Sequence, residues 1–239
     1  MKNKIAIVTV HAGCTYNLIK TIKSINSQYV KPDLHLIVSK NYDSKILLYK
    51  KNYTKFIFKK DKSIYNAMNI GLKYTQDYFL FFLNSGDYLY SKDSIKIIKR
   101  FINLYKNKCL NFKTILEYKN KRFLIKDKIF KKKNFLSHPS FVRPPVNQII
   151  FYNENFKILS DGIWMRDNKY TYGIKKVNNI VSVHALGGIS TNPTFFSIKD
   201  NFKFSIKSGI KEIIKYFLKI FIKEEKYYEI IFSKNYIYK

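Results

Sequence analysis

Three polar residues and a glycine follow the most apolar segment of the chain, residues 78–83, and the last of the four is an aspartate. They are Asn84, Ser85, Gly86 and Asp87. A carboxylate at the end of a buried strand can hold a divalent cation through hard oxygen ligands, and such a cation neutralises a departing diphosphate. The same four residue types are the commonest in turns, and taken alone they favour a plain turn. Their position directly after the strongest strand signal weakens that interpretation.

The first half of the chain alternates short apolar runs with segments of helical periodicity. Strands are predicted at 5–10, 34–38, 56–58 and 78–83, and helices at 16–28, 63–74 and 93–105, with a Lys- and Tyr-rich helix between the second and third strands. This alternation predicts right-handed βαβ units and a mostly parallel sheet. Ligands collect at the carboxyl ends of such strands, so chemistry is expected in the loops after Val10, Val38 and Leu83.

The pattern changes in the second half. The predicted elements are an antiparallel hairpin of 112–118 with 122–126, an irregular loop at 134–146, strands at 148–152 and 180–185, and a short helix at 161–167. Residues 205–223 predict a basic amphipathic helix, because apolar residues recur at helical spacing beside a lysine at every fourth position. The apolar stripe comprises Ile206, Ile210, Ile213, Ile214, Phe217 and Phe221, and the lysines are Lys207, Lys211, Lys215, Lys219 and Lys223.

The 239 residues carry a formal net charge of +29, yet only four of the 45 basic residues are arginine. Nucleic-acid readers use arginine for bidentate contacts that lysine cannot copy. An AT-rich coding bias therefore explains the lysine excess better than nucleic-acid binding, while attraction to anionic membranes or phosphates still follows from such a field. Cys14 and Cys109 cannot build a disulfide framework, so a reducing cytoplasm is expected. Neither a signal peptide nor a run of ~18–20 apolar residues that would span a bilayer is predicted.

Several motifs in a fixed order resemble family 2 glycosyltransferases, and most closely the subgroup for colanic acid, capsule and O-antigen synthesis. The matching segments are residues 61–72 (the family's D-x-G-I-Y-D-A-M-N-x-G), 77–87 (a strand ending in L-N-S-G-D), 147–152 (H-Q-x-x-F-Y), 160–161 (A-D) and 186–190 (G-G-x-S). The first strand and helix match the same group, so the resemblance spans residues 4–192. Ordered motifs are far more specific than any one alone.

The resemblance implies a GT-A type fold, in which a nucleotide-binding half with a mostly parallel sheet merges with an acceptor-binding half. Asp87 matches the last carboxylate of the family's D-x-D-like motif and is the expected residue for a divalent cation, Mn²⁺ or Mg²⁺, and the diphosphate. Asp161 matches the catalytic base. The residues expected near the donor are Val10, His11, Ser39, Asp61, Asn66, Asn69, Asn84, Ser85 and Gln148.

Two positions depart from the family pattern. Ser39 stands where many members have an Asp that pairs with uracil, and Asp43 comes four residues later. Asn147 replaces the usual His before Gln148. The first departure leaves the donor base open, with a UDP-sugar favoured. The second departure leaves the acceptor contacts open, and it leaves open whether the enzyme has lost part of its activity.

The requirements of glycosyl transfer agree with the implied roles. The reaction needs a stabilised leaving diphosphate, a base for the acceptor hydroxyl, and positioning. Asp87 with a metal supplies the first and Asp161 the second, while Asp161 also suits a helix N-cap. Asp167 is the alternative base. Because no second carboxylate or Ser/Cys–His arrangement suggests a covalent intermediate, inversion at the anomeric carbon is expected. His138 and His184 lack ligand-spaced partners, so no zinc site is predicted.

The sequence thus predicts an inverting, metal-dependent glycosyltransferase that moves a sugar from a nucleotide-diphosphate sugar to a lipid-linked or lipid-anchored surface glycan. The predicted organisation is a GT-A domain at 1–195, with a nucleotide-sugar half at 1–108 and an acceptor half at 109–195, followed by a membrane-associating tail at 196–239. The expected location is the inner face of the cytoplasmic membrane, with the anionic lipid surface as a partner. The alternatives are a basic nucleic-acid-binding protein and a catalytically silent member of the family.

Overall fold

The strands and helices of the chain build one α/β structure around a single sheet. The computed structural model describes residues 3–60, 62–132, 135–188 and 192–238. The strands are β1 Ile5–His11, β2 Leu34–Ser39, β3 Thr54–Phe58, β4 Phe79–Phe82, β5 Tyr88–Leu89, β6 Cys109–Tyr118, β7 Lys121–Ile125, β8 Phe141–Arg143, β9 Ile174–Ala185 and β10 Tyr236–Tyr238. The helices are α1 Thr15–Asn26, α2 Ser44–Leu47, α3 Ile64–Lys73, α4 Ser94–Leu104, α5 Asp127–Phe130, α6 Ser160–Tyr172, α7 Phe195–Phe204, α8 Ile206–Phe221 and α9 Glu224–Ser233.

Strands β3, β2, β1 and β4 lie side by side and run parallel. All seven residues of β1 are buried, as expected for a strand covered on both faces. His11 is in register with Ser39, and β4 pairs with β1 on the other side. The carboxyl ends of β1, β2 and β4 therefore meet at one edge. The predicted α/β fold with a mostly parallel sheet in its first half is confirmed.

The two faces of this sheet build two apolar cores. Alternate residues of β1 and β4 point to opposite faces, so that Ile7 and Phe81 pack with helix α4 while Val8 and Phe82 pack with helices α3 and α6. Helix α3 approaches β1 closely at Gly71, where a Cβ atom would lie 2.7 Å from Cγ1 of Val8. Burial on both sides makes this part of the sheet a rigid base for the loops at its edge.

The second half of the chain extends the sheet by mostly antiparallel pairing. Strand β8 pairs with β4 and β6, β7 forms the predicted hairpin with β6, and β9 runs parallel to β6. The loop predicted at 134–146 is in part wrong, because it contains a 3₁₀ turn, His138–Ser140, and strand β8, which is buried. The helix predicted at 161–167 is the beginning of the longer α6, and the helix between β2 and β3 has only four residues.

The strand predicted at 148–152 is also wrong. Its backbone groups bond to side chains from other elements instead of a neighbouring strand. The Trp164 Nε1–H donates to the Ile150 carbonyl at 2.8 Å, and the Tyr152 N–H donates to Asn69 Oδ1 at 2.8 Å. These bonds satisfy the most enclosed part of the segment, and residues 148–151 are exposed or only partly buried, so the segment needs no strand ladder.

The residues that follow 195 form helices α7, α8 and α9 and strand β10. Tyr227 and Tyr228 of α9 are buried against Leu116 and Phe123, and β10 pairs antiparallel with β7. The far end of the tail predicted at 196–239 is thus joined to the sheet, whereas α8 buries only Gly209. None of the helices in the described residues has the length and apolar character needed to cross a bilayer.

Candidate functional site

A cavity of about 510 Å³ opens at the carboxyl ends of β1 and β4. Its walls come from the loops after these strands, from the first turns of α3 and α6, and from the end of β9. Of the residues expected to be functional, Val10, His11, Asn84, Ser85, Asp87 and Asp161 line it. Lys40, Lys62, Lys157, Tyr65, His138, His184 and Phe196 are further lining residues. A cavity at this edge of a parallel sheet is the common location of a ligand site in α/β proteins.

Asp87 is fixed in this cavity by β9. Its Oδ1 accepts hydrogen bonds from His184 Nδ1 at 2.8 Å and from the Ala185 N–H at 3.0 Å. The turn before it requires glycine, because Gly86 has φ +102°. The Thr21 hydroxyl, on helix α1, donates to the Asp87 carbonyl at 2.7 Å and accepts from the Gly86 N–H at 3.0 Å. Strand β9 therefore holds the carboxylate, and helix α1 holds the backbone of the turn.

His184 carries a raised pKa. Burial alone would lower this pKa, but the negative charge and hydrogen bond of Asp87, together with the charge of Asp161, more than offset that effect. The imidazole thus bonds Asp87 and also lies within the electrostatic influence of Asp161. Sequence reasoning did not assign His184 a role, because its partner Asp87 lies 97 residues away. The one sequence feature that points to a role for His184 is its position near the end of a strand, three residues before Gly187.

Asp87 and two further side chains, those of Asn84 and His184, have the chemistry of a cation site. Asn84 Oδ1 is buried and has no hydrogen-bond partner among the described residues, which suits an atom that receives a ligand. Asp87 offers a carboxylate, and His184, in the neutral form whose Nδ1–H bonds Asp87, offers the Nε2 lone pair; Mn²⁺ accepts both kinds of ligand. In the described residues no group of three His, Cys, Asp or Glu side chains forms a complete metal cage. These residues fit a cation that a bound diphosphate and water also coordinate.

Asp161 lies in the first turn of α6, whose N-cap is Leu159 rather than Asp161. Its Oδ1 accepts the Gly162 N–H at 2.8 Å. Burial raises the pKa of this carboxyl to about 6, although the Gly162 bond and the charge of His184 lower it. The group is thus a carboxylate at neutral pH with more basicity than an exposed aspartate.

The segment before Asp161 is tied to two other elements. The Asp200 carboxylate of α7 accepts the N–H groups of Lys157 at 2.7 Å and Ile158 at 2.8 Å. The Tyr65 hydroxyl of α3 donates to the Ile158 carbonyl. Because Lys157 and Ile158 also line the cavity, these bonds fix both the wall and the start of α6.

A smaller cavity of about 390 Å³ lies beside the first and shares His11 and Ala12 with it. Ser39, Asn41, Tyr42 and Asp43 line it. Asp43 begins helix α2, and its oxygens accept from Thr15 Oγ1 at 2.6 Å and the Lys45 N–H at 2.9 Å. The Thr15 hydrogen bond and the Lys45 bond lower the pKa of Asp43. This polar pocket joined to the main cavity has the layout for an elongated ligand with two parts.

His11 stands between the two cavities. Its Nδ1 lies 3.0 Å from Ser85 Oγ, and burial lowers its pKa despite the opposing charge of Asp43. The ring is therefore neutral at pH 7 and can hydrogen-bond a ligand that crosses from one cavity to the other.

Three of the residues predicted near the donor line neither cavity in the described structure. Asn66 and Asn69 donate to the Glu154 carboxylate at 3.1 and 2.9 Å and so attach α3 to the segment after residue 147. Gln148 is exposed and away from both cavities. Asp61 lies outside the described residues. The alternative base, Asp167, bonds Arg166 at 3.2 Å and is not among the lining residues.

Solved structures of other proteins share this fold. TarS of S. aureus, residues 1–349, in complex with UDP-GlcNAc aligns with a TM-score of 0.67 at 16% identity, over 94% of this chain and 69% of that one. The longer TarS structure gives 0.62 at 14% identity, over 90% of this chain and 44% of that one. The mannosyltransferase PcManGT from Pyrobaculum calidifontis, in complex with GDP-Man and Mn²⁺, gives 0.63 at 7% identity, over 90% and 65%.

Neither a family model nor a curated protein sequence matches the chain. At these low identities the structural likeness shows the fold alone. The predicted GT-A-like architecture is therefore confirmed.

Proposed function

We propose that the chain is an inverting, metal-dependent glycosyltransferase that moves a sugar from a nucleotide-diphosphate sugar to a lipid-linked or lipid-anchored surface glycan. The fold supports this proposal, because the similar structures include TarS with UDP-GlcNAc and a mannosyltransferase with GDP-Man. The paired cavities support it as well, since a nucleotide sugar has two parts joined by a diphosphate. The family resemblance of the sequence motifs points to capsule or O-antigen synthesis.

The observation that carries the proposal is that Asp161 and the Asp87–His184 pair line the same cavity. One carboxylate, that of Asp161, has a raised pKa, as a general base requires. The other is fixed by β9 beside a buried amide oxygen that lacks a partner. Pairs of carboxylates whose environments separate their roles are typical of acid–base sites.

In the proposed reaction the acceptor hydroxyl oxygen attacks the anomeric carbon from the side opposite the diphosphate. The bond between that carbon and the diphosphate oxygen breaks, and its electron pair leaves with the nucleoside diphosphate. The hydroxyl proton passes to Asp161 Oδ2, because Oδ1 already accepts the Gly162 N–H. A single attack of this kind inverts the configuration at the anomeric carbon.

Asp87, Asn84 and His184 are the residues that would hold the divalent cation, Mn²⁺ or Mg²⁺. When bound, the cation supplies positive charge to the departing diphosphate. Lys40, Lys62 and Lys157 line the cavity as well and add to that charge. Such preorganised positive charge lowers the activation barrier of the transfer, in addition to the proton transfer to Asp161.

The smaller cavity is the proposed site of the nucleoside. Ser39, Asn41 and Tyr42 offer polar groups to a base, and a UDP-sugar is the proposed donor. Because similar structures hold UDP-GlcNAc in one case and GDP-Man in another, guanosine diphosphate is the natural comparison.

Thermal unfolding with UDP or GDP, each with Mn²⁺ or with chelator, tests the proposal, because a bound ligand raises the unfolding midpoint. We expect UDP with Mn²⁺ to raise the midpoint of the wild type and of the control Asp93→Asn. Asp93 is the N-cap residue of α4, and its half-exposed carboxylate lines neither cavity. Asp87→Asn should lose the increase. No increase with any nucleoside diphosphate would contradict the proposal, and an equal increase in chelator would remove the metal from it.

A further inference from the structure

Helix α8 carries an apolar stripe that the described residues leave uncovered. Ile206, Ile210, Ile214, Phe217 and Phe221 recur at helical spacing and share one side of the helix. Each is at least half exposed, from 50% for Ile210 to 81% for Phe221. Soluble surfaces rarely leave so many large apolar side chains in one row, so the stripe indicates an interaction surface.

Helix α7 adds aromatic side chains to the same part of the molecule. Phe195, Phe196 and Phe204 are more than half exposed. The two helices are in close contact, because a Cβ atom on Gly209 would lie 2.4 Å from the Phe202 ring. Helices α7 and α8 therefore form one unit, here called the apolar hairpin (residues 195–221).

The charges beside the stripe favour an anionic partner. Lys215 and Lys219 form ion pairs with Glu212 at 3.0 Å and Glu224 at 3.4 Å, so two of the five regularly spaced lysines are neutralised. Lys207, Lys211 and Lys223 are exposed and have no ion-pair partner among the described residues. Apolar side chains flanked by unpaired lysines are typical of helices that lie in a lipid interface.

The net charge of the chain argues against a second copy of the chain as the partner of the apolar hairpin. Two molecules of +29 each would repel one another across such a contact. Anionic lipid headgroups attract the same lysines while the acyl region takes the apolar side chains.

The apolar hairpin is connected to the candidate site. Phe196 lines the larger cavity, and Asp200 of α7 holds the backbone of Lys157 and Ile158 in the cavity wall. A surface on which the hairpin docks therefore lies next to the cavity. A lipid-linked acceptor would have to enter the cavity from that side.

From the exposed stripe, the unpaired lysines and the position of Phe196, we propose that the apolar hairpin docks on an anionic phospholipid bilayer. This surface goes beyond the proposed transfer reaction, because lipid binding needs neither donor nor acceptor.

Sedimentation with vesicles of phosphatidylglycerol and phosphatidylcholine, compared with phosphatidylcholine alone, measures this docking. We expect the full chain to bind the anionic vesicles, and Ile214→Asp and Phe217→Asp each to weaken binding about tenfold or more. The matched control is Leu104→Asp, which places the same charge on an exposed apolar residue of α4. This control should bind as the wild type does.

A second pair of variants tests the charge without touching the apolar side chains. Lys207→Glu with Lys211→Glu should weaken binding at low salt, whereas Lys106→Glu with Lys108→Glu, at two exposed lysines outside the hairpin, should change it much less. Unfolding midpoints of all variants should match the wild type, which separates lost docking from lost folding.

Failure of the wild type to bind anionic vesicles would overturn the docking surface. So would an unchanged affinity in Phe217→Asp, or a dimer at sedimentation equilibrium that Ile214→Asp dissociates, since a second copy would then be the occupant. If vesicles bind but no nucleoside diphosphate does, the surface stands and the proposed transfer reaction fails.

Discussion

At the scale of single residues, Asp161 combines a partly buried position with a raised pKa. A carboxyl with a pKa of about 6 is ionised at neutral pH and accepts a proton more readily than an exposed aspartate. Asn at this position keeps the size and removes the proton acceptor. We expect Asp161→Asn to lower the transfer rate by ~10²–10⁴ while donor affinity is retained. Asp167→Asn is the control, and a large loss in that variant instead would move the base there.

The pH dependence of the transfer rate follows from the same group. Because the base works in its ionised form, the rate should rise with pH and reach half its maximum near pH 6. A steady-state rate profile from pH 5 to 8 measures this. A rate that stays level from pH 8 down to pH 5 would mean that Asp161 is not the group that titrates.

The raised pKa of Asp161 also has a consequence for stability. The folded protein binds the proton more tightly than the unfolded chain, so the contribution of this group becomes less favourable as pH rises from about 4 to 6. We expect Asp161→Asn to be more stable than the wild type at pH 7.5 by about 1–3 kcal/mol, and equal to it below pH 4. Denaturant unfolding at both pH values gives the comparison. A less stable variant at pH 7.5 would indicate that the carboxylate is needed by the fold.

At the scale of elements, Asp200 connects α7 to the wall of the cavity. Removal of its carboxylate leaves the buried N–H of Ile158 and the partly buried N–H of Lys157 without their acceptor. Each unsatisfied group costs about 1–3 kcal/mol, so Asp200→Ala should lower the free energy of unfolding by about 2–5 kcal/mol. Asp200→Asn keeps an acceptor oxygen and should recover part of that loss. Equal stability of the Ala variant and the wild type would show that this attachment does not matter.

The sequence predicts well those elements whose signal lies in a short stretch of neighbouring residues. Strands β1, β2 and β4 are apolar runs, and helix α3 begins at Ser63, whose side chain accepts the Asn66 N–H. The segment 148–152 looks like a strand for the same reasons, yet its backbone bonds to Asn69 and Trp164, which no local pattern reveals.

The candidate site was predicted in the same uneven way. Asp87 and Asp161 follow from ordered motifs, and both line the cavity. His184 could not be assigned, because the contact that gives it a role is made across the sheet. Asn66 and Asn69 match donor-binding positions of the family, but here they bond Glu154, a pairing that only the folded chain brings about.

At the scale of the whole molecule, two fully buried histidines govern stability in acid. Burial lowers the pKa of His35 to about 3, and burial together with the charge of His184 lowers that of His138 to about 3. Both are neutral in the folded chain and take up protons in the unfolded chain below pH 6.5. Stability is therefore complete above that pH and is lost as pH falls towards 3.

The variant His35→Gln isolates one of these protons, because glutamine still offers a polar group to Thr9, whose hydroxyl lies 3.0 Å from His35 Nε2. Between pH 4 and 6 its free energy of unfolding should change less steeply with pH than that of the wild type, by about 1.4 kcal/mol per pH unit. The same pH series on Lys106→Glu serves as the control. Parallel curves for His35→Gln and the wild type would contradict the role of this buried ring.

The hydroxyl of Thr21 bonds two backbone groups of the turn that ends in Asp87, the Gly86 N–H and the Asp87 carbonyl. A turn fixed in this way has little conformational entropy left to lose when a ligand arrives, so the cost of ordering it is met during folding and not during binding. Thr21→Val keeps the shape and frees the turn. In calorimetry its affinity for nucleoside diphosphate should fall mainly through a less favourable entropy, with the heat of binding nearly unchanged. Selectivity for the leaving group would then depend on the rigidity of one loop as much as on its charges.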